Sequence, residues 1–211
     1  MEVRKPLHAG SWYPRYKPDL IRNLKEYFDD NEFGPGEEPK TLNNDTRTII
    51  GGVSPHAGYI YSGNCAAHTY LNIFREKIPD TILILGNDHN RYDKIAIMKE
   101  GEWETPLGNL KVDTDLAEKI LENTNTIILD NSAFIGYPHQ NEHNIEIQLP
   151  FIKYCVKDQD VQIVPIKIGL KYSENYEIYE KISTDIANAI KSMDKDIVIV
   201  ASSDMTHRGL K

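Results

Sequence analysis

Three apolar runs of this sequence end in histidine: TIIGGVSPH closes at His56, TILILGNDH at His89 and DIVIVASSDMTH at His207. Neutral imidazole is a common protein ligand for zinc, copper and iron, and it also exchanges protons near neutral pH. In open α/β sheets, ligands bind beyond the carboxyl ends of the strands, so residues placed just after separate strands converge on one crevice. His56, His89, Asp204 and His207 are therefore expected to share a site suited to metal binding or to acid–base work. For any one of these histidines alone, a structural loop role is the simpler reading. Three at successive strand tips favour a common pocket.

A fourth histidine, His143, lies in NEHNIEIQLPF, flanked by Glu142 and Glu146. On a helix the two acids share a face, with His143 about one residue around from Glu142. Either the acids stabilise a helix amino terminus through its dipole, or His143 supports the other histidines and moves protons in the same pocket. His68 within a helical stretch, His139 after Pro138 and His8 before a turn rank lower. Trp12 and Tyr13 in HAGSWYP, and Tyr59 and Tyr61 in SPHAGYIYSG, either line the pocket or fill the core. Gly58 and Gly63 permit tight backbone geometry beside His56, and Ser62 is a candidate helix cap. There is no G-x-x-x-x-G-K-[ST] loop and no G-x-G-x-x-G fingerprint, and SSD at 202–204 lacks the glycines of a nucleophile elbow. Nucleotide machinery and a serine hydrolase are disfavoured.

The elements that must position these residues alternate. Apolar Ile/Val-rich runs at 48–53, 81–85, 161–166 and 196–201 read as strands covered on both faces, with weaker strands at 94–98 and 109–112. Helical periodicity falls at 18–28, 62–75, 114–123, 143–156 and 173–193. The last carries Ile178, Ile182, Ile186 and Ile190 at four-residue spacing, a stripe made to pack on a sheet. Pro150 must start, kink or split the fourth helix. Residues 31–46, rich in Gly, Pro, Asn and acids, read as an exposed loop. The expected fold class is α/β: a central, largely parallel sheet with helices on both faces.

Composition narrows the partners. The chain has 211 residues, which fits a single domain spanning 1–211, and its net charge of −8 argues against a nucleic-acid partner. Cys65 and Cys155 both lie in apolar stretches that read as buried helix faces, so a disulfide framework is not expected. No apolar run is long enough to cross a bilayer and no signal-type leader is present, so the expected partner is not a membrane and the expected location is the cytoplasm. Oligomeric state is left open.

The segments HAGSWYP, PHAGYIYSGNCAAH, LGNDH, EHNIEIQLPF and SSDMTH, in this order and spanning residues 8–207, resemble the Memo family. That family is similar in fold to the class III extradiol dioxygenases, relatives of which hold non-haem iron through two histidines and a carboxylate. The resemblance places two metal-ligating histidines at His56 and His89, and Asp204 and His207 in the same pocket. It also places Trp12 and Tyr61 at aromatic positions that contact ligand. Family members carry a cysteine as third ligand in a segment beyond the last motif. Neither Cys65 nor Cys155 matches it, so the chain looks like a Memo domain shortened at its carboxyl end. Asn87 stands where the family usually has proline, and Arg208 where an aromatic is common.

Three functional expectations follow. In the first, His56 and His89 hold iron, or less favourably copper, in a redox or dioxygenase-like site acting on a small molecule. Asp204, His207 and His143 then orient ligands or move protons. In the second, implied by the signalling members of the family, the pocket is a binding module for anionic or phosphorylated peptide ligands. Metal-assisted hydrolysis with Asp204 as base is a third class.

Overall fold

The structure is a computed structural model that describes residues 2–89, 91–135, 141–169 and 175–204. Its centre is a run of parallel strands, β2 (Gly51–Ser54), β3 (Thr81–Asn87), β8 (Gln162–Ile168) and β9 (Ile197–Ser202), in which β3, β8 and β9 are mostly buried. The 48–53 run, expected to be covered on both faces, instead leads into β2 at the sheet edge, where Ile50 and Val53 are exposed. Thr81 pairs with Gln162 on one side and with Ile197 on the other, and β2 adds to β9 with Ser54 opposite Ser202. β1 (Val3–Arg4), β5 (Glu102–Thr105) and β6 (Gly108–Val112) extend the sheet beyond the first half of β8. β4 (Ile95–Ile97) pairs antiparallel with its second half, and β7 (Ile127–Leu129) lies beyond β4. The expected class, a largely parallel sheet with helices on both faces, is what forms.

Helices cover the two faces unequally. α1 (Lys17–Asp29), α2 (Tyr59–Glu76) and α4 (Leu149–Val156) bury Leu20, Leu24, Phe28, Tyr70, Phe74 and Phe151 against one face; α3 (Thr114–Asn123) and α5 (Tyr176–Lys191) bury Leu116, Ile120, Ile182 and Ile186 against the other. Each fully buried side chain of this size contributes about 1.5–3 kcal/mol. Ile178 and Ile190 pack at the edge of the second core, so the four-residue isoleucine stripe is the buried face of α5. α3 starts on Asp113, whose side chain accepts the N–H of Leu116. Gly63 lets α1 and α2 meet closely, since a Cβ there would lie 2.6 Å from the Tyr27 ring.

Several boundaries differ from the sequence expectation. α2 begins at Tyr59 with Gly58 at its N-cap, and Ser62 lies inside the helix, donating to the carbonyl of Ala57. Ser62 is therefore not the cap. Pro150 starts α4, and the residues before it form a separate 3-10 turn, Glu146–Gln148. Cys155 is buried as expected, whereas Cys65 is exposed because it falls on the solvent side of α2. β8 continues two residues past its expected end, through Lys167, which is buried.

The start of β2 is tied to the end of α2. Glu76 accepts the N–H groups of Thr48 and Ile49, at 2.8 and 3.0 Å, and the Thr48 hydroxyl. The Ile49 N–H, followed by the Thr48 hydroxyl and N–H, holds the Glu76 carboxyl down to about 2. A depressed folded value means that the carboxylate stabilises the fold above the unfolded value and ceases to do so as the pH falls through the folded one. The difference in urea midpoint between wild type and Glu76→Gln is thus expected to be constant above about pH 5 and to shrink between about pH 4.3 and 2. Equal differences at pH 7 and pH 2.5 would contradict this.

Candidate metal centre

The carboxyl ends of β2, β3 and β9 lie side by side, and each delivers a residue to one cavity of about 770 Å³. His56 follows β2, His89 follows β3, and Asp204 follows β9. His143, three residues before the 146–148 turn, closes the site from the helix layer. Nε2 of His56 and Nε2 of His89 are 3.3 Å apart. His143 stacks on His89 at 5.1 Å and 11°, and meets His56 nearly edge-on at 5.7 Å. One ligand atom from each of His56, His89 and His143 lies within 4.8 Å of the others.

A relay of hydrogen bonds selects which nitrogen of His56 faces the cavity. Ser202 Oγ has one proton, which it gives to the carbonyl of Asn144 at 2.7 Å. It therefore accepts from Gln148 Nε2 at 2.9 Å and from Nδ1–H of His56 at 3.1 Å. Gln148 is oriented by Tyr70, whose hydroxyl donates to its side-chain oxygen, and by its own bond to the carbonyl of Pro55. With the proton on Nδ1, the lone pair of Nε2 points at His89, the arrangement by which an outer partner prepares a metal-ligating imidazole. Asp204 reinforces this placement by accepting the backbone N–H of His56 at 2.9 Å, its other oxygen 3.8 Å from His56 Nε2. His143 is pushed down to about 4, first by burial and then by His89 and His56, so its ring is neutral at physiological pH and has a lone pair to offer.

The aromatic positions divide. Trp12 is partly buried, with its ring 4.5 Å from that of His143 and 5.4 Å from His8. Tyr61 also lines the cavity, at its mouth, and is 86% exposed. Tyr59 and Tyr13 belong to the core. His8, ranked low from the sequence, lies just outside the cavity, with its ring 5.7 Å from that of His143. His68 is exposed on α2, while His139 and His207 lie outside the described residues. The sequence signal for His8 was weak because its neighbourhood is assembled by a long-range contact. Glu146, 1% exposed, accepts the N–H groups of Leu7 and His8 and the hydroxyl of Tyr13, and forms an ion pair with Arg4 at 2.6 Å.

The spacing suits a metal. Ligand atoms of one ion bound at about 2.0–2.1 Å must lie roughly 3 Å apart, as the two Nε2 atoms do. Three imidazoles are a donor set for iron, copper, zinc or cobalt. No helix of the described residues is long and apolar enough to cross a membrane.

Comparison with known proteins agrees with the strand-tip motifs. The Memo-like protein family matches residues 4–211. A MEMO1 family protein of Desulfurococcus amylolyticus is 41% identical over 208 residues, covering 98% of this chain and 70% of the relative. MEMO1 family proteins of Pyrococcus furiosus and Saccharolobus islandicus are each 40% identical over 98% and 97% of this chain. The chain spans about two thirds of the length of the curated relatives it matches, 66% for the Pyrococcus furiosus protein. With the match running through every element that carries a site residue, this chain belongs to the Memo family.

Proposed function

We propose that this chain binds one divalent transition-metal ion, iron in preference to copper, through His56, His89 and His143, in a redox-type site for a small-molecule ligand. The observation that carries this reading is the convergence of three imidazoles from three separate segments, two of them with Nε2 atoms 3.3 Å apart. His56, His89 and His143 would hold the iron, which would supply redox chemistry toward dioxygen and a small-molecule substrate. The chain's own groups do the rest. Ser202 and Gln148 hold the His56 tautomer. Asp204 stands at the cavity wall as proton acceptor, with His207 as its expected companion, and Trp12 and Tyr61 offer aromatic surface to the ligand.

Metal analysis after anaerobic loading with Fe(II) and desalting tests the reading. About one ion per chain is expected for wild type and nearly none for His56→Ala/His89→Ala, because two histidines of a three-ligand site are gone. Equal metal content in the two proteins rejects the site. Anion or phosphopeptide binding that is indifferent to chelators would support the binding-module alternative.

A further inference from the structure

We propose that Lys167 and Asp88 form a buried ion pair that positions His89, and that both act as positioning residues of the metal centre. The inference rests on the metal-binding reading for its purpose and on geometry for its content. Lysine is almost never fully buried unless paired, and aspartate follows the same rule. Lys167 is 2% exposed and Asp88 0%, with Nζ 3.1 Å from Asp88 Oδ1. The pair interrupts an otherwise apolar strand end: Lys167 lies opposite Gly86 of β3 and Ala96 of β4, two small residues that leave room for its arm.

The pair does more than neutralise itself. Lys167 Nζ also donates to the carbonyl of Ala133 at 2.7 Å and lies 5.8 Å from the centre of the Tyr92 ring. Asp88 Oδ2 accepts the N–H of Tyr92 at 2.7 Å, and the N–H of Asp88 donates to Ile168 at 2.8 Å. The Asp88 backbone therefore ties the chain before His89 to β8, the Asp88 carboxylate ties the chain after it at Tyr92, and the Lys167 ammonium holds that carboxylate against β8. His89 itself is exposed, and its ring is not packed into the core. Its direction is set by the stack with His143 and by the backbone on which it stands, and that backbone is anchored by Asp88. A buried charge pair is often replaceable by apolar residues without loss of stability, so its presence at this point calls for a role in geometry.

The test uses the full chain. In Lys167→Met/Asp88→Asn both charges are removed and an acceptor for Tyr92 is kept. The expected result is a folded protein whose Co(II) affinity is lower by about 10- to 100-fold, the usual cost of disturbing an outer partner of a metal ligand. In the metal-free protein, the imidazole NMR signals of His89 are expected to shift or split, while those of exposed His68 on α2 stay in place. Wild-type Co(II) affinity together with an unchanged His89 signal overturns the proposal. If wild type itself binds no Co(II), the metal reading fails, and the His89 signal alone decides whether the pair positions the ring. If the double variant does not fold, Asp88→Asn, with Lys167 kept, is measured in its place. An unchanged His89 signal there is equally decisive against the proposal.

Discussion

His143→Ala is expected to weaken Fe(II) or Co(II) binding by more than about 100-fold, the upper range seen when only an outer partner of a ligand is lost. His8→Ala, one ring further out, is expected to leave binding nearly unchanged. The two histidines are neighbours, 5.7 Å between ring centres, yet only His143 brings a nitrogen within ligand range of both His56 and His89. A site of two histidines holds a divalent ion poorly, since protein metal sites usually contribute at least three ligands. The family resemblance puts a cysteine at the third position. Cys65 is exposed on the outer side of α2 and Cys155 is buried in α4, burial pushing its thiol well up, so neither lies at the strand tips. A Co(II) spectrum lost in His143→Ala and kept in His8→Ala is the expected signature. Equal affinities for wild type and His143→Ala would remove His143 from the ligand set.

The strand tips are legible in the sequence because β3, β8 and β9 are mostly apolar on both faces, as parallel strands sandwiched between helix layers are. His89 and Asp204 follow two such runs, and His56 follows β2 beside β9, so their meeting follows from strand order. What could not be read is carried by contacts across long stretches of chain. β1 is two residues long and has no periodicity to detect, yet it brings Arg4 to Glu146, 142 positions away. The burial of Lys167 has no local signal, because its partner Asp88 is a long way off in sequence. His8 and Trp12 occupy a turn whose local sequence gives no direction. Glu142 and Glu146 were legible as helix-start acids, but the start of α4 is Leu149, and Glu146 instead reaches back to the amino-terminal segment.

That reach gives the largest expected stability effect. Glu146→Ala should cost about 3–5 kcal/mol, the usual range when one member of a buried ion pair is removed. Arg4 lies over the Trp103 ring at 4.4 Å and keeps Glu142 at 4.0 Å, together with the carbonyls of Phe134 and Glu142, which places the expectation toward the lower end. Three further donors lose their acceptor: the N–H groups of Leu7 and His8 and the hydroxyl of Tyr13. Burial, followed by the Glu146 charge, pushes the Tyr13 hydroxyl far up, so Tyr13 remains a donor at every accessible pH. Glu146→Gln keeps an acceptor and loses the charge, and should cost less, about 1–3 kcal/mol. Because Glu146 ties the backbone at His8 and the side chain of Tyr13, Trp12 between them should lose its seat against His143. A red-shifted, more quenchable emission from Trp12 is expected in Glu146→Ala, read in a Trp103→Phe background in which Trp12 is the sole tryptophan. Urea unfolding within about 1 kcal/mol of the parent would show that the amino-terminal segment docks without this carboxylate.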